Sequence, residues 1–411
     1  MSRAPLVAAL LRALLLAPVA GSLPFVAPAV AEREATAPEP SSSRELGSDR
    51  TDLDSYRQAI RDLESGRGAY AGALPEQLLS LGISLQRAGE HEEAVKVLKR
   101  GVHLARINNG LYSPEQIALL QREIASHVAL GQYDAADERQ HYMYRVQMRN
   151  MKKGLSRAQA FMDQAQWQYN AYQLDLDGAG YPRLMSMWDL YRLALNDIIS
   201  REGDTSPTLL EPLEGMLVAQ YLIGLHPVDQ GSPEGLNGQQ QANRFNAYRA
   251  QNYRKGRAVI QAIYDVQVAN HGENTRESAE ALVMLGDWNL WQGQRDTAMT
   301  AYQQAVTELV AAGTAQQDID AFFAEPVALP NVTGARDLPP AVEPADNTLQ
   351  VAFTVNESGK VTDMERIDEN DVSNGLANRV MRKLRKTQFR PQLTMGEAVV
   401  TENVTRAYVI E

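Results

Sequence analysis

Two stretches far apart in this chain can be laid over one another, and that coincidence constrains the fold more than any other feature. The first is LLSLGISLQRAGEHEEAVKVLKRGV and the second LVMLGDWNLWQGQRDTAMTAYQQAV. In this register Leu81-Gly82 meets Leu285-Gly286, Gly89 meets Gly293, Ala94 meets Ala298 and Leu98 meets Tyr302. Small residues at these spacings predict a helical hairpin. Gly82 and Ala94 fall where two antiparallel helices cross closely, and Gly89 lets the chain reverse between them. Leu78, Leu81, Leu85 and Leu98 fill the seam. A weaker third copy spans residues 117–143, with Leu120, Gly131, Tyr133 and Ala136, but Glu123 and Ile124 replace the Leu-Gly pair.

The pattern resembles the tetratricopeptide repeat. Gly89 and Gly131 are 42 residues apart, which calls for longer helices than the usual repeat, and no clean copy lies between Gly131 and Gly293. The resemblance implies a superhelix of stacked hairpins over residues 53–325, with a concave groove that holds peptides or partner proteins.

The N-terminus reads as an export signal over residues 1–31. Arg3 opens it, an apolar run from Leu6 to Ala20 is broken only by Arg12, and Ala29-Val30-Ala31 fits a signal-peptidase site. The alternative is an uncleaved membrane anchor, against which stand the prolines and glycine inside the run. Residues 32–52 are polar and read as a flexible leader, and residues 326–346, with five prolines, as a linker. There is no cysteine, so no disulfide supports the fold and thiol chemistry is excluded. Residues 32–346 hold 29 basic against 42 acidic side chains, a balance of −13 that would repel a phosphate backbone; no nucleic-acid partner is expected.

Catalytic and metal-binding patterns are weak. The six histidines, His91, His103, His127, His141, His226 and His271, are scattered, and neither HExxH nor GxSxG, GxxxxGK[ST] or GxGxxG occurs. Asp175-Leu176-Asp177-Gly178 has the look of a calcium loop, but Gln173 and Leu184 would stand at its first and last ligand positions, so it reads as a polar turn ending a helix. RFNAYRAQNYRKGR, from Arg244 to Arg257, interleaves aromatic and basic residues; an amphipathic helix with Phe245 and Tyr248 against a neighbour is the better reading. The preceding His226 to Asn246 reads as a long exposed loop. No catalytic, cofactor or metal site is assigned and no cofactor is expected. A cell-wall enzyme with its site in residues 145–270 is kept as the alternative of another class.

The last 65 residues change period. Leu349, Val351, Phe353 and Val355 alternate with polar or small residues, a glycine turn follows, and a second strand runs from Val361 to Ile367. Ser373 is a helix N-cap, with Leu376, Val380 and Leu384 on one face, and a final strand runs from Val399 to Ile410. The runs VAFTVNESGKVTDMERI, VMRKLRKTQFRP and GEAVVTENVTRAYVI resemble the TonB C-terminal domain, through Val351, Phe353, Val355, Gly359, Val361, Phe389, Pro391 and Gly396. That resemblance implies a periplasmic β-β-α-β module over residues 347–411 that binds outer-membrane transporters, often by pairing a strand with an extended peptide. A transducer of that family also has a permanent membrane helix and a long spacer, whereas the linker here reaches ~65 Å at most, at ~3.1 Å per residue.

The expected protein is therefore mainly α: a tetratricopeptide-like superhelix followed by a small α+β module of TonB C-terminal type. It is read as a non-enzymatic periplasmic adaptor binding envelope proteins or peptides, outer-membrane transporters among them, with membrane association only if the N-terminal segment stays uncleaved. The alternative within the family is an energy transducer assisting outer-membrane transport. The final strand has no proline and no lysine, so Val400, Glu402, Val404, Arg406 and Tyr408 are the candidate edge that accepts a partner strand, to be broken by Val404→Pro. The basic cluster Arg379, Arg382, Lys383, Arg385, Lys386 and Arg390 suits anionic lipid, an acidic partner, or simply a helix C-terminus.

Overall fold

The computed structural model describes residues 43–176, 180–227, 235–345, 348–368 and 374–409. The expected signal segment lies outside them, as do Ser373, Ile410 and the end of the Asp175 turn. The described residues divide into two compact units, one up to Arg201 and one from Glu202 onward. No helix of the described residues is long and apolar enough to cross a membrane.

The first unit is a run of helices: α1 (Ser43–Arg67), α2 (Leu74–Arg87), α3 (His91–Asn109), α4 (Gln116–Ala129), α5 (Tyr133–Asn150), α6 (Leu155–Gln173) and α7 (Tyr181–Glu202). Helix α1 begins within the segment expected as a flexible leader. Its polar first turns extend a helix whose later residues Leu53 and Ile60 are buried, and propagation from such a nucleus costs little. Helices α2 and α3 form the first expected hairpin, and α3, α4 and α5 pack in succession. Leu78, Leu81, Leu85, Ala94 and Leu98 are all buried in one cluster.

The three copies share one kind of turn. Gly89, Gly131 and Gly293 all take left-handed φ, at 76°, 68° and 77°. After each, the next amide donates back five residues, from Glu90 to Leu85, Gln132 to His127 and Gln294 to Asn289. That 6→1 bond is the Schellman helix stop. It also ends helices at Asp175 and Gly313, where the Leu176 amide donates to Ala171 O and the Thr314 amide to Leu309 O, so it agrees with the weak copy without singling it out. Its missing Leu-Gly pair has a substitute: Glu123 is buried at 3.2 Å from Arg139 Nε, and Ile124 is buried beside it. The close helix crossing moves elsewhere, to Gly101, where a Cβ would lie 2.6 Å from Leu119 Cδ2.

The second unit continues with a short 3₁₀ turn (Pro207–Leu209), α8 (Leu210–Leu225), α9 (Gly235–Ala250), α10 (Asn252–His271), α11 (Arg276–Trp291), α12 (Arg295–Ala311) and α13 (Gln316–Phe322). The expected loop from His226 is therefore helical from Gly235 onward. Gln, Ala and Arg are good helix formers, and polarity alone does not make a loop. The expected single helix from Arg244 to Arg257 is broken at Gln251, and Phe245 is buried while Tyr248 has Lys255 Nζ 3.9 Å from its ring centroid. Thr275 and Ser278 close a reciprocal capping box at the start of α11.

Glycines here accept aromatic rings. A Cβ on Gly286 would lie 2.2 Å from Tyr302 Cε1, on Gly256 2.1 Å from Trp288 Cζ2, and on Gly224 2.4 Å from Trp291 Cη2. In the first unit a Cβ on Gly82 would lie 2.5 Å from Leu98 Cδ2. Gly82→Leu is expected to lower stability by about 1–3 kcal/mol through overpacking. Gly286→Leu should cost more, because Tyr302 is fully buried and its hydroxyl donates to Asp287 Oδ1 at 2.7 Å, so the ring cannot swing away. Thermal denaturation of both variants checks the order, and equal melting temperatures would overturn it.

The C-terminal module has a three-stranded antiparallel sheet, β3 (Val361–Arg366), β2 (Thr348–Val355) and β7 (Thr401–Val409) in that spatial order, with α14 (Asn374–Lys386) between β3 and β7 in sequence. Between α14 and β7 the chain adds β4 (Phe389–Arg390) and the hairpin β5 (Gln392–Thr394) and β6 (Glu397–Val399), elements absent from the expected β-β-α-β order. Val351, Phe353, Val355, Leu384 and Phe389 form the module core.

The stretch expected as a free linker is packed. Its β1 (Val327–Ala328) pairs with β4, the Leu329 amide donates to Gln388 O at 2.9 Å, and Leu329, Ala335 and Leu338 are buried. Proline-rich composition suggested a linker, but the segment turns at Val332–Ala335 and docks through the apolar residues between its prolines.

Candidate partner-binding surfaces

An open groove of about 1120 Å³ crosses α10, α11 and α12. Leu282 and Leu285 form its apolar floor, so Leu285, aligned with the seam residue Leu81, also faces this groove. Tyr264 and Ser278 both donate to Glu308, the former at 2.7 Å, which fixes one acidic wall where three helices meet. Asp265 and Glu273 line the same side. At the other end stand Arg254 and Arg257, both exposed, with the Arg257 guanidinium 5.7 Å from the Tyr253 ring centroid.

Arg254 lies in the first turn of α10, where a cation works against the helix dipole by about 0.3–1 kcal/mol, whereas Asp265 stands before the last turn, out of the dipole's reach. From Arg254 to Asp265 the axis runs about 17 Å, the length of about five residues of extended peptide.

The predicted edge strand lies where expected, with a different face. Val404 and Tyr408 are buried in the module core, and burial pushes the Tyr408 hydroxyl up to about 12 against the opposing pull of Arg406. Val400 falls just before β7 and is 48% exposed. Phe353 pairs with Val404 while Val355 pairs with Thr401, so β7 holds one extra residue there, and Asn403 sits at φ 55°. That bulge breaks the period of two, which is why Val400 leaves the inner face. Glu402 is exposed beside the bulge, and Arg406 Nη2 reaches Glu325 at 2.6 Å.

The outer edge of β7 is already guarded. The Val342 amide donates to Ala407 O at 2.9 Å, and Arg406 Nη1 donates to Thr405 O at 3.1 Å. Backbone groups alternate sides along an antiparallel strand, so Thr405 and Ala407 face outward and Val404 faces β2. Val404→Pro would therefore break the module's own ladder, and Thr405→Pro is the variant that probes the edge.

Arg390 separates from the basic cluster. It is buried, with Nη1 3.3 Å from Asp287 Oδ2, and Phe323 covers it with a ring centroid 6.0 Å from Cζ. Burial raises the Asp287 carboxyl above the ordinary range, partly offset by Arg390 and by the Tyr302 hydrogen bond. Gln303 Nε2 donates to Glu397 Oε1 at 2.8 Å, and the Leu393 amide donates to Phe323 O at 3.2 Å. The module is thus seated on the α11–α12 hairpin. Sequence reasoning missed this seat because nothing local distinguishes Asp287 from a surface acid.

Burial also pushes the His141 imidazole down to about 2, with Arg145 and Arg183 adding to it, so it is neutral near pH 7. Among the described residues no group of three His, Asp or Glu side chains is placed to hold a metal ion.

No protein-family model matches the chain, and no curated protein does. Among solved structures, it is similar to a Podosopora anserina kinesin-light-chain protein with nearly identical TPR-like repeats. Identity is 15%, covering 58% of this chain and 97% of that one, with a TM-score of 0.37. It is also similar to BtubC from P. vanneervenii, at 13% identity, covering 67% of this chain and 94% of that one, again with a TM-score of 0.37. The tetratricopeptide-like character of the helices rests on the chain's own repeated turns and glycine crossings.

Proposed function

We propose that this chain is a non-enzymatic adaptor of the cell envelope, exported to the periplasm, whose helical array and C-terminal module each hold a protein partner. The observation that carries the reading is the open groove over α10–α12, with an apolar floor, arginines at one end and carboxylates at the other. Such a groove fits an extended peptide of opposite polarity, acidic toward Arg254 and Arg257. The position of β7 at the edge of its three-stranded sheet supports a second contact there, where an incoming strand replaces Val342 and the Arg406 guanidinium as hydrogen-bond partners.

Affinity purification of the full chain from periplasmic extract tests this, with N-terminal sequencing of the recovered bait. The mature chain is expected to begin at Glu32. Arg254→Glu combined with Arg257→Glu, both exposed, should remove one co-purifying protein, and Thr405→Pro should remove another. An intact Met1 in the membrane fraction would favour the energy-transducer alternative. Unchanged partners in both variants would overturn the adaptor reading.

A further inference from the structure

The second charged surface of the C-terminal module belongs to α14. Its thirteen residues contain five cations and no acid. Lys383 pairs with Asp337 at 2.9 Å. Arg379, Arg382, Arg385 and Lys386 are exposed, with no ion pair among the described residues. The helix dipole accounts for the last-turn residues Lys383, Arg385 and Lys386. It does not account for Arg379 and Arg382, which stand before that turn. Arg379, Arg382 and Lys386 follow i, i+3, i+7 spacing and share one stripe of the helix.

Beside this stripe lies a groove of about 440 Å³ between α14, the Pro339-Pro340 stretch and the end of β7. Leu376 and Val380 form one wall, and Arg379 stands at the rim. Val342 and Val409 also line it, and they are 37% and 41% exposed, which leaves apolar surface uncovered inside a concavity. A bilayer covers protruding apolar residues, whereas a recess beside cations suits a side chain entering from a peptide.

We propose that α14 and this groove bind a short extended acidic peptide, with an apolar residue seated between Pro340 and Val380 and carboxylates along Arg379, Arg382 and Lys386. The stripe covers about 10 Å of helix axis, or about three residues of extended chain, so two acids at alternate positions fit it. Arginine favours carboxylate here because its planar fork takes both oxygens. The site is separate from the α10–α12 groove, it shares Val342 with the outer edge of β7 but not Thr405, and it does not depend on where the protein resides.

The test is fluorescence anisotropy on the full chain with a labelled octapeptide of two leucines followed by alternating glutamate and serine. Binding is expected, weakening about tenfold between about 50 and 300 mM salt. Arg379→Glu with Arg382→Glu should abolish it, Val409→Asp should weaken it while keeping the salt dependence, and Thr405→Pro should leave it unchanged. The proposal is overturned if a glutamine version of the peptide binds equally, or if the double arginine variant binds as well as the parent. It is also overturned if the peptide fails to bind while phosphatidylglycerol vesicles bind through the same arginines, which would make the surface a lipid site.

Discussion

Replacing Arg390 with methionine is expected to destabilise the second unit by about 3–5 kcal/mol, because it leaves the Asp287 carboxylate buried without its cation. Asp287 and Arg390 are 6% and 7% exposed, so water cannot substitute for the lost partner. The Tyr302 hydroxyl would still donate to Asp287, at 2.7 Å, too little to compensate a buried charge. The double variant Asp287→Leu with Arg390→Met removes both charges together and should lose much less than the sum of the single losses, giving a large coupling energy in a double-mutant cycle. Urea denaturation of the four proteins measures this, and additive losses would mean the pair does not couple the module to the hairpin.

The pH dependence has a definite sign. Burial raises the folded-state pKa of Asp287 above its unfolded value, so the folded chain binds more protons between the two values and stability falls as pH rises through the folded pKa. Arg390 is the largest influence lowering that pKa. Arg390→Met therefore raises it further, and the variant's deficit should shrink as the medium is acidified. A deficit that grows on acidification would contradict the assignment.

Gly359→Ala is expected to cost about 3 kcal/mol or more and to loosen the C-terminal module. A Cβ there would lie 1.8 Å from the Phe389 carbonyl oxygen and 2.3 Å from Gln388 Nε2, and the backbone φ is 73°. Phe389 cannot retreat easily: its amide donates to Gly359 O at 2.8 Å, and its ring packs 5.6 Å from Phe353 in the core. Moving it would also shift the adjoining Arg390. Gly68→Ala is the control, since Gly68 shares the left-handed φ at 84° but has nothing within 4 Å of a Cβ, so only the conformational cost of about 1–2 kcal/mol applies. Equal losses in the two variants, by thermal denaturation, would show that the clash is relieved.

The basic cluster illustrates how much of a site is legible in sequence. Six cations between Arg379 and Arg390 look alike on the page, and their partners sort them into three kinds. Lys383 meets Asp337, Arg390 is buried against Asp287, and the rest face outward. Arg390 and Asp287 are 103 residues apart, beyond the reach of any local pattern. The α10–α12 groove was likewise hidden, since its floor residue Leu285 was legible only as part of a repeat and its acidic wall depends on Glu308 from another helix.

The sequence by itself determined the hairpins and their turns, because helical period, small residues at the crossing and glycine at the stop are all encoded within about 25 neighbouring residues. It also determined the strand-strand-helix order of the C-terminal module, through the change from helical period to alternation. Only the tertiary structure decided which ring enters which glycine notch. Gly256 takes Trp288 and Gly224 takes Trp291, partners from other helices. It also decided that the proline-rich stretch docks, that a bulge at Asn403 turns Val400 outward, and that Val342 guards the edge of β7. Periodicity tells a residue which side of its own element is apolar, whereas the identity of the surface it meets is set by packing against residues distant in the chain.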